Sequence, residues 1–445
     1  METGIIRLTQ TITAYTIMSK TIPVSGINPG PLSMNNCDSP DPKLLAVEQV
    51  HQQLEKLTVP AAGSESVAIR SALGRVLNED IISPIDVPPY ANSAMDGYAL
   101  NASDLPKAGE QTLTMIGKSF AGDPYKGKVA SGQCIRIMTG AQIAEGTDTV
   151  IMQEQVTVDG HAITIGSGHC AGQNVRHPGE DMAKGSVVLT TGKLIGAVEI
   201  GLLASLGYPE VTVKQKVRVA FFSTGDELRS VGEELEEGQI YDSNRYTLYG
   251  MLDKLGVEII DLGVIRDDQQ AIEDAFNHAA DIADVVITSG GVSVGEADFV
   301  KLTLEKIGKV DFWKVAMKPG KPLALGKIKK AMFFGLPGNP VSVMATFYLF
   351  AQPAIRHMMG EPYQQPLIVK ATTTSLIKKR PGRTDYQRGI AKNENGKLIV
   401  DGAGMQASHI LSGMSQANCF VVIPQMSGSV EAGAEVDVIL FDGLT

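Results

Sequence analysis

Between residues 217 and 350 short apolar runs alternate with amphipathic ones at helical spacing, and this alternation restricts the fold more than any other feature of the chain. The pattern predicts strands over 217–223, 257–265 and 284–288. It predicts helices over 243–255, 269–281 and 298–307, the first stopped by Gly256 and the last by Gly308. Extended runs near 310–316 and 332–334 then precede a helix opening at Pro340. Strand–helix–strand succession packs as a mainly parallel sheet with helices on both faces, giving a three-layer α/β domain.

The flanks read differently. Residues 82–182 are rich in short extended runs; the stretch 156–165 is a hairpin by pattern, with Asp159-Gly160 suited to a type I′ turn. A helix is expected around 195–206, ending at Gly207. From about residue 364 strands return, at 367–369, in a hairpin around Asn395-Gly396, at 419–423 and at 436–441, which suggests a small barrel or sandwich. Residues 1–42 carry Pro23, Pro29, Pro31, Pro40 and Pro42 among glycines and read as a disordered lead-in. Order is expected from Asp41, an N-cap before Pro42, with Leu44, Val47, Val50, Leu54 and Leu57 at helical spacing. A chain starting at Met34 should match the full chain in melting temperature and activity, because the residues before it lack a periodic apolar face to bury. A drop of several degrees in a thermal scan would show that the lead-in docks on the core.

Composition excludes several classes. At 445 residues the chain should form roughly three or four domains. Its 43% hydrophobic and 20% charged residues can build large cores beneath a charged surface. The formal charge of −10 argues against wrapping a nucleic acid, though not against a small anion gripped by local lysines. No apolar run has the length of a membrane helix, and Glu2 with the Thr and Gln that interrupt residues 5–18 argues against a signal peptide. Cys37, Cys134, Cys170 and Cys419 are scattered, which fits a reduced, cytosolic protein rather than a disulfide framework or zinc site.

Ligands of an open parallel sheet bind at the carboxyl ends of its strands. Here those ends carry Thr224-Gly225-Asp226-Glu227, Arg266-Asp267-Asp268 and Gly290-Gly291-Val292-Ser293, the last leading to Asp298. Beyond them stand the lysine run Lys314, Lys318, Lys321, Pro322 and the turn Pro337-Gly338-Asn339-Pro340. Each loop alone reads more readily as a turn than as a site, with Asp268, Asp298 and Asn339 as helix caps. Their coincidence at one edge points further. Glycine turns that open helices offer free N–H groups to phosphate. Carboxylates beside such a pocket make sense when a Mg²⁺ bridges them to the substrate, because bare acids would repel it. In the β-rich segment, Asp96 lies among small residues, Thr139 stands at a strand end before Gly140, and Asp181 follows a turn; spacing alone leaves all three as loop residues.

Taken together, the runs 92–99, 136–141, 179–181, 223–228, 241–245, 290–298, 318–322 and 335–342 closely resemble the molybdopterin molybdenumtransferase family, which includes bacterial molybdenum-insertion enzymes and the E domain of gephyrin. The motifs follow the family's order, and the resemblance covers roughly residues 43–445. It implies a multidomain α/β homodimer. Its parts would be an extended discontinuous domain (43–81 and 183–212), a β-rich inserted domain (82–182), a molybdopterin-binding α/β domain (213–362) and a C-terminal β-barrel (363–445).

The implied reaction inserts molybdate into adenylated molybdopterin with Mg²⁺-assisted cleavage of the phosphoanhydride, releasing AMP and molybdenum cofactor. By the same resemblance Glu227, Asp267 and Asp298 are the active-site acids around Mg²⁺. Asp96, Thr139 and Asp181 are catalytic residues of the insert that face them. Gly290, Gly291, Ser293, Lys314, Lys318, Pro337 and Pro340 bind the pterin substrate, and Lys318, Lys321, Pro322, Arg388 and Ser408 form the molybdate pocket. The implied partners are a second copy sharing the active site, the adenylyltransferase that makes the substrate, and molybdoenzyme maturation proteins, in the cytoplasm and with no nucleic acid or membrane. A peptide-binding scaffold like gephyrin's and a nucleotide-handling relative without metal insertion are the alternatives.

Overall fold

The structure, a computed structural model, describes residues 44–290 and 299–441. Its centre is a six-stranded sheet ordered Glu258–Ile265, Arg218–Thr224, Val285–Ser289, Ala331–Leu336, Pro322–Ile328 and Gly308–Lys314. The first four strands run parallel, and Pro322–Ile328 is antiparallel to both its neighbours. Val285–Ser289 is buried along its whole length because helices cover both faces. One face packs Val219, Phe221, Val285 and Ile287 under helix Ser243–Leu255 and the run from Pro340. The other packs Ala220, Phe222, Val286 and Phe333 under Gln269–Ile282 and Phe299–Ile307.

Caps and stops lie close to where the sequence puts them. Gly256 ends its helix at φ 76°, a left-handed conformation that a side chain would strain. Asp268 accepts from the Ala271 N–H at 2.9 Å and so does cap a helix.

The insert folds as a second six-stranded sheet, in the order Thr149–Met152, Gly97–Leu100, Gln133–Ile137, Glu110–Ser119, Ala162–Gly166, Val156–Asp159. Its two faces bury separate apolar clusters, with Leu100, Leu113 and Ile163 in one and Ala99, Ile135 and Ile137 in the other. The hairpin at its edge corrects the expected turn. Asp159 pairs with Ala162, so Gly160 and His161 form the loop, and only Gly160 has positive φ, at 57°. Glycine at the first of two central positions marks type II′, not I′. The second hairpin does take the I′ pattern, with Asn395 at 52° and Gly396 at 79°.

On either side of the insert, Ser64–Ala68 pairs antiparallel with Glu210–Lys214, and Ile81–Ile82 with Val187–Leu189. Ala72, Leu77, Leu189, Leu203 and Val213 share one cluster there. The first helix, Val47–Leu57, packs elsewhere: Val50 and Leu54 join the central core beside Phe347 and Phe350. It begins later than expected, with Gln49 accepting from the Ala46 N–H at 2.9 Å; Asp41 and Pro42 lie outside the described residues.

At the C-terminal end, Thr384–Glu394, Lys397–Gly402, Val369–Thr373, Glu435–Leu440 and Cys419–Ile423 pair in turn, and the last closes on the first. The result is a closed five-stranded barrel rather than a sandwich. The strand expected at 367–369 starts instead at Val369, where pairing with Val438 begins; Leu367 and Ile368 find no partner strand and are exposed.

His51 on the first helix is 3% exposed, its Nδ1 2.9 Å from the Tyr363 hydroxyl and its ring beside Phe350. Burial lowers its pKa from 6.5 to about 4. The unfolded chain therefore takes up a proton that the folded chain refuses, so this contribution is complete above the unfolded value and is lost as pH falls towards 4. Between about pH 7 and pH 5 the loss should be about 2 kcal/mol by the linkage relation. Urea unfolding of wild type and His51→Gln at both pH values checks it: the variant should lose that much less on acidification.

Candidate active site

The carboxyl ends of the parallel strands meet through their loops. Ser223 and Ser289, at the ends of adjacent strands, share a buried hydroxyl hydrogen bond of 2.9 Å. The next residue, Gly290, turns at φ 94° and donates its N–H to the Leu336 carbonyl at 3.1 Å. A Cβ on Gly290 would lie 3.1 Å from the Thr224 carbonyl, and one on Gly338 would stand 3.9 Å from the Gly290 Cα. The two glycines thus bring the 224, 290 and 338 turns to close approach. Pro337 is buried beneath them and Pro340 opens the next helix.

The acids line the next stretch of the same edge. A Cβ on Gly225 would meet a Glu227 carboxylate oxygen at 2.5 Å, so the carboxylate lies against the glycine. The Asp267 N–H donates to the Asp226 carboxylate at 3.2 Å. Partial burial raises the Asp267 pKa, and the neighbouring Asp226 and Glu227 charges raise it further. Burial disfavours the charged form, and like charges beside it add to the same effect.

Among the described residues no three Asp, Glu, His or Cys side chains converge as a metal centre. Mg²⁺ commonly takes only one or two carboxylates and completes its shell with water and phosphate oxygens, so the clustered carboxylate oxygens of these loops fit it. Asp298, Gly291 and Ser293 lie outside the described residues.

The lysines stand at the other end of the edge. Lys314 pairs with Pro322 across the antiparallel strands, and Lys321 accepts at its carbonyl from the Val315 N–H at 2.7 Å. Met317–Lys318 leaves the sheet and joins the barrel, with Lys318 paired to Asp385. Asp385 is 5% exposed, and burial raises its pKa despite the Gln387 amide and the Lys318, Lys379 and Arg383 charges that act against it. Gly320, at φ 100°, lets this loop turn against Thr346, where a Cβ would meet Cγ2 at 2.7 Å.

The barrel adds a loop. The Ser408 carbonyl accepts from the Val341 N–H at 3.1 Å, which seats the loop against the Pro340 turn. Arg388 lies behind it, 1% exposed, donating to the carbonyls of Ile410 at 2.8 Å, Ala407 at 3.3 Å and Met405. Its guanidinium is spent on shaping the loop that presents Ser408.

The insert residues form a second constellation. Asp96 accepts from both the N–H and the hydroxyl of Thr139, at 2.7 and 2.8 Å, and these bonds lower its pKa. Asp181 lines a cavity of about 470 Å³ with Val87, Pro88, Asn92, Arg176 and Glu180. Among the described residues, none of the hydrogen bonds of Asp96, Thr139 or Asp181 reaches the sheet-edge loops. Sequence reading missed the role of Asp385 and the burial of Arg388, since neither follows from local spacing.

A sheet edge of this kind, with glycine turns, acids and lysines converging at the carboxyl ends of parallel strands, belongs to the α/β enzymes that bind ligands there. Comparison with known proteins specifies which. Residues 45–207 match the MoeA N-terminal region (domains I and II), 220–357 a probable molybdopterin binding domain, and 370–441 the MoeA C-terminal region (domain IV). The chain is 48% identical over 406 residues to a molybdopterin molybdenumtransferase of Haemophilus influenzae, covering 90% of this chain and 100% of that one. It is 34% identical to one from Staphylococcus aureus, covering 90% and 96%. The crystal structure of a molybdopterin biosynthesis moeA protein from Pyrococcus horikoshii matches with a TM-score of 0.78 at 32% identity, over 89% of this chain and 100% of that one. The chain belongs to the molybdopterin molybdenumtransferase family, and it is a transferase.

Proposed function

We propose that the protein inserts molybdenum from molybdate into adenylated molybdopterin, cleaving the phosphoanhydride and releasing AMP and molybdenum cofactor. The observation that carries this reading is the convergence of the Gly290 and Gly338 turns, the carboxylates and the lysines on one sheet edge. The turns suit the phosphates because their glycines, Gly290 and Gly338, leave the backbone there without side chains over it. Lys318, Lys321 and the Ser408 loop, with Pro322 in the same turn, form the pocket for the oxyanion, since carboxylates cannot hold molybdate directly, and Lys314 and Lys318 bind the pterin substrate. Pro337 and Pro340 fix the shape of the cradle, and Arg388 acts by holding the Ser408 loop.

Glu227, Asp267 and Asp298 would hold Mg²⁺, which supplies charge neutralisation at the phosphate oxygens and the leaving group. Gly290, Gly291 and Ser293 would complete the cradle around the pterin substrate. Asp96, Thr139 and Asp181 act from the insert, and we place them opposite these loops across a homodimer interface. The division into a discontinuous domain, an insert, an α/β domain and a barrel at the boundaries given above belongs to this reading. So do a cytoplasmic setting and transient contact with the adenylyltransferase and with molybdoenzyme maturation proteins. Among the described residues no helix is long and apolar enough to cross a membrane. Incubation with adenylated molybdopterin, molybdate and Mg²⁺ should release AMP in step with cofactor formation. AMP release without cofactor would assign the protein to nucleotide hydrolysis instead.

A further inference from the structure

The segment Tyr241–Arg245 is left without a role by the reading above, yet it spans two loops of the site. Before it, the Ile240 N–H donates to the Glu227 carbonyl at 2.9 Å, and the Asp242 N–H donates to the Arg229 carbonyl at 3.1 Å. After it, the Asn244 amide donates to the Gly338 carbonyl at 2.7 Å, in the turn that abuts Gly290. Asp242 is 2% exposed. One of its carboxylate oxygens accepts from the Arg245 N–H at 3.1 Å and caps the Ser243–Leu255 helix. The other oxygen is shut off from solvent and has no partner among the described residues, and the same holds for the Asn244 side-chain oxygen.

Two acceptors buried without donors, two residues apart, are a costly arrangement that a helix start does not need, because serine would cap equally well. Their chemistry also differs from the rest of the site. A carboxylate oxygen and an amide oxygen repel phosphate and molybdate oxygens, which the glycine turns and lysines serve. They call for N–H or O–H donors.

We propose that Asp242 and Asn244 form a donor-reading subsite beside the glycine cradle, accepting hydrogen bonds from the substrate's organic part. This rests on the reading of the edge as a site for an adenylated pterin. Two parts of such a substrate carry paired donors: the amino group and ring N–H of the pterin, and the ribose hydroxyls of the nucleotide.

Asp242→Asn keeps a capping residue of the same shape and changes only the charge and the acceptor. Calorimetry with AMP, with 6-hydroxymethylpterin and with molybdate would read the subsite in wild type, Asp242→Asn and Asn244→Ala. One organic ligand should bind about tenfold more weakly to both variants, as expected when a buried polar pairing is broken, while molybdate binding is unchanged. A loss confined to the pterin assigns the pterin edge, and one confined to AMP assigns the ribose. Wild-type affinity of the variants for both organic ligands overturns the proposal, as does an equal weakening for molybdate or a wild type that binds neither organic ligand. If Asp242→Asn does not fold, Asn244→Ala alone decides between these outcomes. Failure of the molybdenum-transfer reading would register separately, as absence of cofactor formation by the wild type.

Discussion

Asp267→Asn should reduce AMP release by about 100-fold or more, the scale on which charge-stabilising groups act in such sites, while leaving the fold intact. The electrostatics of the loop set the sign of the stability change. Burial and the Asp226 and Glu227 charges raise the Asp267 pKa, so its ionised form is less stable folded than unfolded. A carboxyl with a raised folded pKa stabilises the fold as pH drops below that value and loses the benefit as pH rises through the window above its ordinary value. Removing the charge should therefore leave the melting temperature near pH 7 unchanged or slightly raised. Added Mg²⁺ should raise the wild-type melting temperature more than that of Asp267→Asn, a readout independent of turnover. Should the variant unfold, or keep full activity, Asp267 is a structural loop residue and the acidic cluster has been misread.

Mixing two inactive variants should restore activity. The Asp96–Thr139 pair belongs to the insert and Asp267 to the α/β sheet edge, and among the described residues none of the pair's hydrogen bonds reaches that edge within one chain. In a twofold dimer with composite sites, a subunit carrying Asp96→Asn beside one carrying Asp267→Asn leaves one site doubly damaged and one intact. Random exchange makes half the dimers mixed, so activity should approach about a quarter of wild type. The shared site would be falsified if labelled heterodimers form and activity stays at the parental background.

The sheet edge was legible in the sequence because its signals are local. A glycine after Ser289, acids after Thr224 and Ile265 and a proline at the first turn of a helix each follow from backbone demands within a few residues. The Gly256 stop and the Asp268 cap were legible for the same reason. The turn at Gly160 was misjudged because type I′ and II′ differ only in which residue takes positive φ, and register decides that. The strand start at Val369 was misjudged because an apolar pair reads as a strand whether or not a partner exists to bond it.

What the sequence determined by itself was therefore the strand–helix alternation, the parallel strands and the loops that carry the chemistry, though not the antiparallel strand Pro322–Ile328. All of these depend on periodicity and on residues a few positions apart. Only the tertiary structure decided that the first helix packs into the α/β core and that Arg388 is buried behind the Ser408 loop. It also decided that Asp385 lies beside Lys318, and that Asp242 and Asn244 hold unpaired acceptors between two loops of the site. Those facts rest on pairings across tens to hundreds of residues, where burial and strand register set each side chain's neighbours and local spacing has no influence.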